Sequence, residues 1–200
     1  MVSRNSPLRL EAAEVVDGRP FTDPQATAAD AAVLGLLQAT LRRTARGARG
    51  EVAGFADETG RHHVVVPDWE SLAAIRPAAL VGFFGQARDG VDHRAIIALE
   101  HEIVGRARAF PGLLAYHNAQ LANGRWGNLV VFRAPGGTAD VTADPLHAAA
   151  VARTPDHYHS LRLHRGVLAD GCLGASPPRL AETLYLDFAE TPAWRAVRTY

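Results

Sequence analysis

Hydrophobic and polar positions recur with two different periods along this chain, and the switches between them outline its elements. Over 26–46 the apolar residues Ala29, Val33, Leu36, Leu37 and Leu41 return at helical spacing, and Gly47 and Gly50 follow, which predicts an amphipathic helix ending there. A short strand is expected over 8–16, before a turn rich in Gly, Pro and Asp. Segments 51–57 and 61–66 flank a Glu-Thr-Gly turn and predict a hairpin, after which Asp68 caps a short helix that Pro77 closes.

From Ala79 onward the alternation becomes denser. A strand is expected over 80–88 and a helix over 93–110, with Ile96, Leu99, Ile103 and Ala107 on one side and Pro111-Gly112 at its end. Strands over 113–121 and 126–133 enclose Asn123-Gly124, a pair that tolerates the positive φ of a tight hairpin turn. Asp144 caps a further helix with Pro145 in its first turn, and Pro155 is expected to release it into a fourth strand over 157–167. One more strand is expected over 183–188. The order from Ala79 is β-α-β-β-α-β, the ferredoxin-like arrangement, so the predicted class is α+β. Two regions follow: an extension, 1–78, of helix and hairpin packed on the core, and a domain, 79–200, with a C-terminal strand.

Composition narrows the chemistry. The chain has 200 residues, enough for one well-cored domain, and 21 basic residues balance 21 acidic ones at a pI near 7.1. That balance argues against a general binder of nucleic acid or anionic membrane, which would show a basic stripe. Every basic residue is arginine, so Schiff-base chemistry, a pyridoxal-phosphate anchor and a phosphate-loop lysine are excluded. Cys172 is the single cysteine, which rules out an internal disulfide or a thiolate zinc cage. The first residues carry acids within their apolar run and no apolar stretch nears the ~20 residues of a membrane helix, so a cytoplasmic protein is expected.

Alternate side chains of a strand point to opposite faces, so polar sets can be sorted by parity. Phe84, Gln86 and Arg88 form one set, and Tyr116, Asn118 and Gln120 another; Trp126 with Asn128, and Tyr158 with Ser160, Arg162 and His164, complete the pattern. Each strand has one polar face carrying aromatics, which suits a small-molecule pocket as well as a solvated surface. The expected catalytic residues are His164 as acid or base, with Arg162 and Asn118 holding developing negative charge. The expected substrate-binding residues are Tyr116, Trp126, Arg88, Gln86, Asn128 and Tyr158. Leu161 and Leu163 should face the helices, so replacing Arg162 or His164 is expected to spare stability. His117 reads as a core histidine, and His62 and His63 as structural or solvent-facing. His157 and His159 lie on the face opposite His164, and a zinc site built on them lacks a third ligand in the sequence.

The core from about Ala79 to Gly166 resembles the dimeric α+β barrel superfamily. The resemblance rests on Gly82-Phe83-Phe84-Gly85-Gln86, Pro111-Gly112-Leu113, Asn128-Leu129-Val130-Val131-Phe132, and His147 followed by Thr154-Pro155-Asp156-His157. That superfamily includes the antibiotic-biosynthesis monooxygenase-like proteins, haem-degrading monooxygenases and haem-containing aldoxime dehydratases. The resemblance implies a homodimer whose two sheets meet face to face. It also implies a choice of chemistry. One reading is a cofactor-independent oxygenase, cyclase or isomerase with a hydrophobic substrate and no metal. The second is a haem enzyme with His147 or His164 as proximal ligand. The third is a barrel that binds a ligand or partner without catalysis.

Overall fold

The computed structural model describes residues 6–46, 52–121 and 126–200. The expected Asn123-Gly124 turn lies outside the described residues, although the strands on either side of it pair from Gln120↔Trp126 to Leu113↔Phe132.

The first long element is the helix α1, Pro24–Ala45. Asp23 caps it by accepting the Gln25 N–H at 2.7 Å, and Pro24 supplies its first residue. Its buried stripe is Thr27, Asp30, Leu34, Leu37, Gln38, Thr40 and Leu41, a spacing of three and four residues that keeps one face inward. Four further helices follow: α2 (Trp69–Ala74), α3 (Arg94–Gly105), α4 (Thr138–Ala143) and α5 (Pro145–His157). Asp68 caps α2 and Asp144 caps α5, as the sequence suggested. Pro155 does not end α5. It sits inside the helix, which continues to His157, so His157 is no strand residue and does not pair in face with His159. The helix α4 was not foreseen.

Nine strands form one sheet among the described residues: β1 (Leu8–Arg9), β2 (Val52–Asp57), β3 (Gly60–Val65), β4 (Ala78–Ala87), β5 (Leu113–Leu121), β6 (Trp126–Phe132), β7 (Tyr158–Leu168), β8 (Arg179–Asp187) and β9 (Trp194–Thr199). Their order is β1-β9-β8-β7-β4-β6-β5-β3-β2, with β1 parallel to β9 and the other pairs antiparallel. The hairpin of the extension therefore continues the sheet of the following region, through β3 on β5.

Helices cover both sides of this α+β sheet. On one side Val104, Ala107 and Phe110, from α3 and the turn after it, pack with Val65, Ala79, Leu113 and Phe132. On the other, Leu34, Leu37 and Leu41 of α1 pack on Val64, Leu80, Phe84, Ala115, Ala119, Leu129 and Val131. The sheet face expected to stay open for a second copy is thus filled by the chain's own first helix. Two glycines permit that contact. A Cβ at Gly82 would stand 2.9 Å from a Leu34 methyl, and one at Gly127 would stand 2.8 Å from a Val33 methyl.

The chain ends meet at the far edge. Arg198 of β9 is fully buried and donates to the carbonyls of Glu11, Glu14 and Thr22 and to the Tyr185 hydroxyl. These bonds give the irregular stretch before α1 partners for its backbone carbonyls.

Candidate functional site

The expected site residues separate onto the two sides of the sheet. In the register of the central strands Phe84 lies opposite Arg162 and Gly82 opposite His164, whereas Phe83 lies opposite Asn128. Neighbouring positions of one strand face opposite ways, so Arg162 and His164 look toward α1 while Asn118 and Asn128 look toward α3. Gln86 pairs with Ser160 on the α1 side and is itself exposed. Arg88 lies past the end of β4 and donates to the Pro155 carbonyl at 2.9 Å, securing the end of α5. Tyr158 changes side. A register shift after Gln86 lets its ring lie 5.6 Å from that of Phe83, over Gly85, on the α3 side.

The proposed catalytic pair belongs to the core. Asp30 of α1 accepts from Arg162 Nε at 2.5 Å and from Arg162 Nη2 at 3.1 Å, and its Oδ2 lies 3.0 Å from His164 Nε2. The other nitrogen of His164 lies 2.8 Å from Thr183 Oγ1, which is bonded in turn to the Tyr200 hydroxyl. Burial pushes the Asp30 carboxyl upward, but hydrogen bonds from His164 and Arg162 outweigh it and hold the group below the usual carboxylate range. Asp30, His164 and Thr183 are fully buried. A histidine with both nitrogens engaged in the interior has no lone pair to offer a substrate or a haem iron, so His164 fits neither role assigned to it. His147 sits half-buried in the first turn of α5, where its N–H is shared with the Asp144 cap. Among the described residues no three His, Cys, Asp or Glu side chains converge as a metal site.

On the α3 side, Tyr116, Asn118, Asn128 and Tyr158 gather around a further carboxylate, Glu100, and Trp126 shares their sheet face. Glu100 Oε1 accepts the Tyr116 hydroxyl and the Asn118 amide, each at 2.5 Å. Burial and the negative charge of Glu100 raise the Tyr116 phenol well above its ordinary value, and the same two causes raise Tyr158. The His63 ring lies 6.5 Å from Tyr116 and 5.6 Å from His101. Burial, then the nearby His101, lowers His63. Two buried polar atoms in this cluster, His63 Nδ1 and Asn128 Oδ1, have no hydrogen-bond partner among the described residues, and a group left this way favours any ligand that completes it. Trp126 stands at the hairpin end with 47% of its surface exposed.

Glu100 was legible in principle. Ile96, Glu100, Ile103 and Ala107 form one helical stripe, so periodicity puts the acid on the sheet-facing side. Asp30 follows the same logic beside Leu34 and Leu37.

A different histidine pair lies under α1. His62 Nδ1 is 3.0 Å from His117 Nε2, His117 Nδ1 donates to the Leu37 carbonyl at 3.1 Å, and His62 Nε2 lies 3.1 Å from Asp57. Burial first, and then the adjacent His62, push His117 down to about 3. It is a satisfied core histidine.

Two surface hollows of about 460 Å³ each share no lining residue with the Glu100 cluster. One lies at the end of α1, and the other lies between α2 and residues 108–114.

No family model matches the sequence, and no curated protein does either. Among solved structures, the chain is similar to NE2512, a protein of unknown function from Nitrosomonas europaea, at 19% identity and a TM-score of 0.40. The match covers 52% of this chain and 97% of that one, and at that score it supports no conclusion about function.

Proposed function

We propose that this chain is a small-molecule enzyme of the cofactor-independent kind, an isomerase, cyclase or oxygenase type, whose site is the α3 side of β5 and β6 around Glu100. The strand order β7-β4-β6-β5, with α3 and α5 on one side, is read as a ferredoxin-like unit in which α1 takes the position a partner sheet holds in a dimeric α+β barrel. The homodimer implied by the resemblance would then need another surface, and light scattering at micromolar concentration is expected to give one chain per particle.

The observation that carries the reading is the convergence of the Tyr116 hydroxyl and the Asn118 amide on one oxygen of Glu100. A carboxylate fixed in this way leaves its second oxygen to take a proton from a substrate, which supplies a general base. The one Tyr116 O–H is engaged in holding Glu100, so the remaining N–H of the Asn118 amide and the amide N–H groups of Asn128 are the donors to hold an enolate or phenolate oxygen. Trp126 gives the open end an apolar flank. The substrate class is a hydrophobic carbonyl or phenolic compound with an acidic proton beside the oxygen.

The test is solvent-deuterium exchange, followed by NMR, into a panel of aromatic β-dicarbonyl and phenolic compounds. Exchange catalysed by the native chain, and lost in Glu100→Gln with the fold intact, supports the reading. Equal exchange by Glu100→Gln, or ligand-induced shifts confined to residues away from Tyr116, Asn118 and Trp126, overturns it.

A further inference from the structure

The last turns of α1 carry Arg42, Arg43 and Arg46 around one hollow of about 460 Å³ that Ala39, Leu173 and Ala175 complete. Two of the guanidinium groups are already oriented by protein acceptors. Arg42 Nη1 donates to the Gly174 carbonyl at 2.9 Å, and Arg43 Nη2 donates to Thr40 Oγ1 at 2.9 Å and to Asp57 Oδ2 at 3.2 Å. The opposite wall is fixed as well. Gln38 Nε2 donates to the carbonyls of Gly174 and Ser176, both at 3.3 Å, and the Gly174 N–H closes a turn on Gly171.

Among the described residues, no acidic side chain lines this hollow. Asp57 reaches Arg43 from outside it and divides its oxygens between Arg43, His62 and Thr59. In a chain whose acids and bases balance at 21 each, three cations around a concave surface are a local excess. The partial negative charge at a helix C-terminus attracts basic residues to its last turn, and Arg42 and Arg43 satisfy that on the helix surface. Helix polarity alone does not call for a preformed hollow with a tied-down wall.

We propose that this hollow binds a small polyvalent oxyanion: a free diphosphate or the phosphoryl group of a metabolite. A guanidinium offers five N–H donors in a planar fork matched to phosphate oxygens, and Arg42 and Arg43 each keep donors beyond the bonds that orient them. The site is on the α1 side of the sheet and is independent of the Glu100 cluster. It does not rest on the activity proposed there.

The experiment is calorimetric titration of the full chain with inorganic pyrophosphate and, separately, with adenosine diphosphate, at ionic strength held constant with sodium chloride. Arg46→Gln and Arg43→Gln are compared with the native chain; Arg42 is left intact because it also holds the Gly174 loop. Saturable binding of either anion, weakened about tenfold or more by each substitution while circular dichroism is unchanged, supports the proposal. Pyrophosphate alone identifies a free anion as the ligand, and binding of the nucleotide identifies a phosphate ester. Absence of binding by both, or equal affinity in the native chain and the variants, overturns it. Neither substitution touches Glu100 or Tyr116, so failure here leaves the exchange experiment unaffected.

Discussion

Asp30 on the first helix and His164 on the seventh strand sit 3.0 Å apart with both side chains sealed from solvent, and Arg162 closes on the same carboxylate. Removing the acid leaves a guanidinium and an imidazole in the interior without their shared acceptor. Asp30→Ala is therefore expected to cost about 3–5 kcal/mol, measured by urea unfolding. Because the folded carboxyl lies below its unfolded value, this contribution is complete above the ordinary carboxylate range and is lost as pH falls through the lower folded value. A change below about 1 kcal/mol, the level of an exposed pair, would mean that the triad does not hold α1 on the sheet.

At the Glu100 cluster the relevant observable is the Tyr116 phenol. Burial raises it first, followed by the negative charge of Glu100, the hydrogen bond to that carboxylate and the nearby Tyr158, and Glu100→Gln removes the charge while leaving the burial in place. In the difference spectrum against Tyr116→Phe, phenolate formation should begin at lower pH in Glu100→Gln than in the native chain. An unmoved titration would place Glu100 out of contact with that hydroxyl.

His117 gives the fold a further acid-side dependence. Its folded value, about 3, is below the ordinary 6.5, so between those values the unfolded chain takes up a proton that the folded chain refuses. Stability from this group is full above the unfolded value and falls by up to ~1.4 kcal/mol per pH unit as pH drops toward the folded one. His117→Gln should unfold more easily at neutral pH but show a shallower decline from pH 7 to 4. Parallel declines would remove His117 as the cause.

The helix-on-sheet contact has its own sensitive point. Gly127→Val would add side-chain atoms where a Cβ alone already meets Val33 at 2.8 Å, while Gly54 on the edge strand has nothing within 4 Å of its Cβ position. A loss of about 1–3 kcal/mol is expected for Gly127→Val and little change for Gly54→Ala. Comparable melting points for both variants would show that α1 is free to lift away.

Much of the element order could be read from periodicity and caps, because Asp68 and Asp144 mark helix starts by local chemistry and strand parity survives within each strand. The grouping of faces could not. Parity says that Arg162 and His164 agree with each other, but whether they agree with Asn118 depends on register across β4 and β6, which is a tertiary fact. Tyr158 failed for a related reason: one register shift near Gln86 breaks the alternation that tied it to Arg162. An amphipathic helix shows which of its own sides is apolar but not which sheet face that side meets, so the covering of the open face by α1 has no local signal. Gly82 and Gly127, where the helix comes close, carry no signal of their own in a single sequence. The terminal strand Trp194–Thr199 is six residues long, and its outer partner β1 is a two-residue strand far away in the sequence, so little of its pairing shows as a pattern.

That terminal strand bears on the order in which a ribosome can deliver the fold. The described pairing of β1 is with β9, and Arg198 supplies the donors for carbonyls at Glu11, Glu14 and Thr22. Residues 8–22 leave the ribosome well before Trp194–Thr199, so vectorial synthesis leaves this stretch waiting for its partners until that strand has emerged. A nascent chain arrested before Trp194 should therefore expose this stretch to a protease that spares it once Trp194–Thr199 is in place.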